Sequence, residues 1–104
     1  MVRLEMEGKI INLLHLARKA CKLQFGFDAC EKSCFKGKSR LVLYVSDLAE
    51  NSKSKLINMT HANNTKVMEI GTKKLFGESF KTRDVGIISI EDHNFAKGII
   101  RLIV

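Results

Sequence analysis

Three short apolar runs, Leu41-Val42-Leu43-Tyr44-Val45, Val67-Met68-Glu69-Ile70 and Val85 to Ile90, are set between segments of helical periodicity. That arrangement limits the possible folds more than any other feature of the chain. The first run is nearly continuous, as in a strand covered on both faces; a strand with one wet face alternates apolar and polar side chains. Ile10, Leu13, Leu14, Ala17 and Cys21 recur at helical spacing and predict a first helix over residues 6–20. Leu23-Gln24-Phe25 reads as a very short strand ahead of Gly26. A second helix follows from about Phe27 to Lys36, with Phe27, Cys30, Cys34 and Phe35 available to the interior, and Gly37 stops it. Asp47 with Glu50 three positions later resembles a capping box for a third helix carrying Leu56, Ile57 and Met59. Asn63-Asn64 marks a turn, and Thr72 caps a short helix through about Phe80. Asp92 caps a last helix with Phe95, Ala96, Ile99, Ile100 and Ile103 inward. Helices alternating with strands predict an α/β fold, a three-layer α/β/α sandwich around a small central mixed sheet.

The chain has 104 residues, no proline and no linker-like or repeated tract, so residues 1–104 read as a single domain with a core of its own. No apolar run approaches the length of a membrane span. Met1 to Glu7 contains two acids and no apolar stretch, unlike a secretory signal, so a cytoplasmic location is expected. Three cysteines are an odd number with no disulfide-framework spacing. Cys30 and Cys34 read as small buried hydrophobes. Cys21, beside Arg18 and Lys22, is the one thiol placed for reactivity. His15, His61 and His93 do not supply the remaining ligands of a metal site, and no metal or cofactor is expected. The chain contains no nucleophile elbow and no phosphate-binding loop. Glu91-Asp92 reads as a helix start, not an acid–base pair. No enzyme activity and no small-molecule substrate are expected.

Charge is more informative. Of a net +7, residues 1–40 supply +5, nine Lys/Arg against four Asp/Glu, and residues 41–104 supply +2, nine against seven. This asymmetry favours a polyanion, with RNA leading. An anionic membrane surface would need a basic amphipathic helix with a wide exposed apolar face, and every candidate segment is claimed by the core. Within the basic part lies Gly26-Phe27-Asp28-Ala29-Cys30-Glu31-Lys32. A helix opening on glycine brings unpaired backbone N–H groups and the positive end of the helix dipole close to any ligand in front of it. The plainer reading is an ordinary helix start, where Asp28 is favourable with no ligand at all. Arg18, Lys19, Lys22, Lys36, Lys38 and Arg40 can form a solvated basic face. Lys22, just before the helix, and Lys36, one turn beyond Lys32, are the better phosphate candidates.

The run Asn12-Leu13-Leu14-His15-Leu16-Ala17-Arg18-Lys19-Ala20-Cys21-Lys22-Leu23, then Gly26-Phe27-Asp28, Lys32, Gly37, Leu41-Val42, Asp47, Gly71-Thr72-Lys73 and Gly77, resembles the kink-turn-binding ribosomal-protein superfamily. That superfamily includes the large-subunit proteins L-seven-Ae and L-thirty-e, and the nearest branch is the bacterial YlxQ-type paralogues. The resemblance extends over about residues 8–100. It implies an α/β/α sandwich that grips RNA through the N-terminal end of its second helix and two nearby loops, where the family carries Gly-x-Asn-Glu-x-x-Lys. Gly26 and Lys32 match; Asp28 replaces the asparagine and Ala29 the glutamate. The resemblance thus implies RNA contacts at Gly26, Phe27, Asp28 and Lys32, beside the phosphate contacts expected from charge and position at Lys22 and Lys36. A second contact loop, Phe80 to Val85, would bring Arg83 to phosphate and Val85 to an extruded nucleotide. Without a polar atom at position 29 one base-edge contact is lost, a cost of about 1–3 kcal/mol, so selectivity should be weaker or broader than in the ribosomal relatives. Cys21 stands where the family usually has glycine, which implies strain at the end of the first helix. The implied partners are structured ribosomal RNA with a kink or internal loop, and ribosomal proteins. A rival expectation is a protein-interaction module of a ribosome-associated assembly that keeps the fold without specific kink-turn readout; Ala29 favours it.

Overall fold

The computed structural model describes residues 2–83 and 86–103, with side chains from Met6 onward. In chain order the elements are α1 (Val2–Lys19), β1 (Leu23–Phe25), α2 (Phe27–Phe35), β2 (Leu41–Tyr44), α3 (Glu50–Ala62), β3 (Val67–Glu69), α4 (Lys73–Phe80), β4 (Ile87–Ile90) and α5 (His93–Ile103). The four strands form one mixed sheet in the order β1-β4-β2-β3. β4 runs antiparallel to both neighbours, pairing Leu23 with Ile90 and Leu43 with Ile88, while β2 and β3 are parallel, pairing Leu43 with Met68.

The three-layer sandwich expected from the sequence is present, because alternate residues of the central strands feed two separate cores. Leu41, Leu43, Val45, Ile88 and Ile90 pack with Ile10, Leu14 and Ala17 of α1, Phe76 and Phe80 of α4, and Ala96 and Ile99 of α5. On the opposite face Val42 and Ile87 pack with Cys30 and Cys34 of α2 and Leu56 of α3. Strands buried on both sides need apolar residues at consecutive positions, which explains the unbroken run at 41–43. Among the described residues no helix is long and apolar enough to cross a membrane.

Several local expectations hold at their caps. Thr72 Oγ1 accepts from the Leu75 N–H at 3.1 Å, and Asp92 Oδ1 accepts from the Phe95 N–H at 3.0 Å. Gly37 ends α2 with φ of 72°. Cys21 occupies the left-handed region at φ 60°, the strained geometry expected where a side chain replaces glycine. Others are corrected. α1 starts at Val2 rather than at residue 6, since no glycine or proline precedes Gly8 to break the helix. Asp47 does not cap α3, whose N-cap is Ala49 with no side-chain bond; its Oδ1 instead accepts from the Lys73 N–H at 3.0 Å, serving the first turn of α4. Phe35 is not interior. Helical phase turns it away from Cys34 and leaves it 82% exposed.

Candidate nucleic-acid interface

α2 is pinned to the sheet by one side and free on the other, and its sequence dictates both. Cys30, Ser33 and Cys34 are buried, three or four residues apart on a single stripe. Cys30 Sγ lies 3.5 Å from the Gln24 carbonyl oxygen, to which it donates. Beneath the helix runs a polar seam. The Oγ atoms of Ser33 and Ser89 are 2.9 Å apart, those of Ser89 and Ser39 are 2.7 Å apart, and Ser33 donates to Glu91 Oε2 at 2.7 Å. Gln24 Nε2 donates to the other carboxylate oxygen, Oε1, at 3.4 Å. Ser89 is completely buried in β4, so its hydroxyl needs these partners, and satisfying it fixes where α2 sits along the strand. The expectation that Glu91 belongs only to the start of α5 is therefore amended: its carboxylate braces α2.

The N-terminal end of α2 follows from Gly26. This residue has φ 89° and ψ 161°, a conformation open essentially to glycine alone, and it is buried. Its N–H donates to the Ile87 carbonyl at 2.9 Å, tying the turn to β4, and its own carbonyl accepts from the Cys30 N–H at 3.0 Å. That is the first intrahelical bond, so the N–H groups of Phe27, Asp28 and Ala29 have no acceptor within the helix. No side chain caps them at Gly26.

Three of the expected contact residues share one cleft. Asp28, Lys32 and Lys36 line a depression of about 450 Å³ whose floor includes Gln24, Ser33 and Glu91. Lys38, read from the sequence as part of a solvated basic face, lines it too. The other candidates are placed differently. Phe27 is half-buried against the α2–α3 core, so it presents a backbone N–H to the front and not its ring. Lys22 is exposed but not on the cleft, with its carbonyl accepting from the Glu91 N–H. Arg83 is exposed in the chain that leaves α4. Val85 and Asp84 lie outside the described residues.

Arg18 is exposed, as expected of a basic face, but its guanidinium is also engaged by the protein. Its Nη1 donates to the Phe80 carbonyl at 3.1 Å, and its guanidinium stacks 5.4 Å from the Phe25 ring centroid and 5.9 Å from that of Phe80. It thereby braces the end of α4 against α1 and β1. Sequence reasoning also missed the polar seam. The available signal was Ser89, a lone hydroxyl inside Ile87-Ile88-Ser89-Ile90, which has to meet a polar partner once both faces of the strand are covered.

No protein-family model matches the chain, and no curated protein matches it in sequence. Solved structures do share the fold. A protein of unknown function from Bacillus halodurans superimposes with a TM-score of 0.84 at 26% identity, over 91% of this chain and 96% of that one. The Giardia lamblia 15.5kD RNA-binding protein superimposes with a TM-score of 0.75 at 20% identity, over 93% of this chain and 86% of that one.

Proposed function

We propose that this chain is a non-catalytic RNA-binding domain that receives a bent RNA strand at the N-terminal end of α2. The observation that carries the reading is the combination at that end: a glycine-only turn, N–H groups without intrahelical acceptors, and Lys32 and Lys36 behind them on one cleft. The fold shared with the Giardia RNA-binding protein supports it. In this mechanism the α2 N–H groups, Lys32 and Lys36 hold phosphates, with Lys22 and Arg83 extending the contact from the flanking segments. Asp28 accepts from a guanine edge. Its charge is tolerated in front of RNA because the helix dipole and the three cleft lysines offset it. Side chains cannot enter the deep groove of regular A-form RNA, so the target needs a kink or internal loop that opens its bases. Structured ribosomal RNA, met in the cytoplasm as part of a ribosome-associated particle and in the company of ribosomal proteins, is the partner proposed, with the YlxQ-type paralogues as the nearest branch.

Fluorescence anisotropy against kinked, straight-duplex and single-stranded RNA tests the reading. Three or four phosphate contacts correspond to a slope of log affinity on log salt of roughly −2 to −4. Lys32→Ala should weaken every RNA, whereas Asp28→Ala should mainly flatten the preference for kinked RNA. If both variants bind all three RNAs like the parent, α2 is not the contact surface. Ala29 favours a second reading, docking of an acidic protein on the same lysines; absence of binding to any RNA near physiological salt would decide for it.

A further inference from the structure

We propose that Phe35 is a stacking platform for an unpaired nucleotide of the same RNA, which crosses the Lys32–Lys36 ridge into the groove between α2 and α3. The inference rests on the RNA-binding reading and adds a second contact region to it.

Phe35 is the most exposed large apolar side chain of the described residues, at 82%. The core does not require it: Cys30 and Cys34 already fill the inner stripe of α2. Seven residues separate Phe35 from Asp28, two helical turns less about 20°, so the ring sits on the same outward line as Asp28 and about 10 Å further along the axis. Lys32 lies between them in height, turned about 40° from Asp28 and about 60° from Phe35. The groove beside Phe35 holds about 520 Å³ and is floored by Met59 and Ala62 of α3, with Asn58 on its rim. Asn58 is exposed, and its amide offers both a donor and an acceptor to a base edge.

Charge decides the occupant. Lys32 and Lys36 line this groove against the single carboxylate of Glu31, and both lysines also line the cleft that holds Asp28. The two clefts therefore share one cationic edge, continuous with the proposed RNA contact. The lysines stand about 6 Å apart along the axis, comparable to the step between successive phosphates of an extended strand. A strand with phosphates on the ridge drops one base toward Asp28 and another toward Phe35, whose exposed face accepts any base because every base has a π-face.

Phe35→Ala tests this, and at 82% exposure the truncation leaves the core untouched. Two RNAs are compared by anisotropy: an internal-loop hairpin with fully paired ends, and the same hairpin carrying a three-nucleotide single-stranded extension with 2-aminopurine in its middle position. The expected result is that Phe35→Ala lowers affinity for the extended RNA about five- to a hundredfold while leaving the closed one unchanged. Phe35→Trp restores the affinity, and the quenching of 2-aminopurine seen with the parent disappears in the alanine variant. If Phe35→Ala binds both RNAs like the parent while Lys32→Ala weakens both, the stacking platform falls and the RNA-binding reading stands. If Lys32→Ala also binds both normally, the RNA-binding reading falls and takes this inference with it. Equal weakening of both RNAs by Phe35→Ala overturns the platform. So does binding of an acidic amphipathic peptide that needs Phe35 while RNA binding does not.

Discussion

Replacing Gly26 by alanine tests the link between sequence, local geometry and function at its narrowest point. The native φ of 89° and ψ of 161° place this residue where a Cβ is strained, at a cost of about 1–3 kcal/mol. Alanine also stiffens the unfolded chain, which by itself would stabilise by about 0.4–1 kcal/mol. Strain wins, and the net is a destabilisation of about 1–2 kcal/mol. For a chain of this size each kcal/mol moves the melting temperature by roughly 4–8 °C, so Tm should fall by roughly 4–16 °C. Gly8 in α1 supplies the opposite control. A Cβ there meets nothing within 4 Å, and Gly8→Ala should stabilise by about 0.5–1 kcal/mol. Far-UV circular dichroism melts of parent and both variants measure the two signs. Below its melting transition, Gly26→Ala should also bind RNA less tightly, because relief of the strain moves the Phe27, Asp28 and Ala29 N–H groups. Equal melting temperatures for Gly26→Ala and parent would refute the claim that the turn needs glycine.

Three other outcomes follow from single residues. Cys21→Gly should raise stability by about 0.5–1 kcal/mol in urea titration, since φ 60° costs an L-residue about 1–2 kcal/mol and the added freedom of glycine takes part of that back. Ser89→Ala should cost about 1–3 kcal/mol in the same titration, because Ser33 and Ser39 lose a shared buried partner; an unchanged midpoint would mean that the seam does not hold α2. Asp28→Asn should tighten binding to kinked RNA about fivefold at low salt by removing one negative charge beside phosphate, and anisotropy titration reads the change directly.

The layers were legible because their periods are unambiguous. Leu41 to Tyr44 reads as a doubly covered strand from composition alone, and the inward stripes of α1 and α5 announce themselves at Ile10, Leu14, Ala17 and at Ala96, Ile99. What escaped depends on pairs distant in the chain. Asp47 sits three residues before Glu50, a capping pattern by spacing, yet the sheet brings it to Lys73, 26 residues away. Ser33 and Ser89 are 56 residues apart, and neither predicts the other until β4 lies under α2. Phe35 was misplaced for a different reason. On hydropathy it belongs inside, but the phase fixed by Cys30 and Cys34 leaves it no inward direction. Hydropathy states what a residue gains by burial; helical phase states whether burial is open to it.

The division of α2 into a held side and an offered side also bears on selectivity. Cys30, Cys34 and the Ser33–Ser89 contact commit the inner stripe to the core, so rotating α2 to bring other residues forward would break these contacts. The outer stripe then presents a fixed set: Asp28, Lys32, Phe35 and Lys36, with Ala29 at the edge. In the proposed complex Lys32 and Lys36 would meet phosphates, which position RNA without reading sequence. Phe35 would stack without regard to base identity. Among these α2 side chains Asp28 would be the one to discriminate a base edge, against the repulsion of nearby phosphates. Such a surface should therefore recognise the course of a strand, its bend and its unpaired positions, more than its letters. Recognition by shape needs a platform that does not yield, and the buried seam under α2 provides that rigidity.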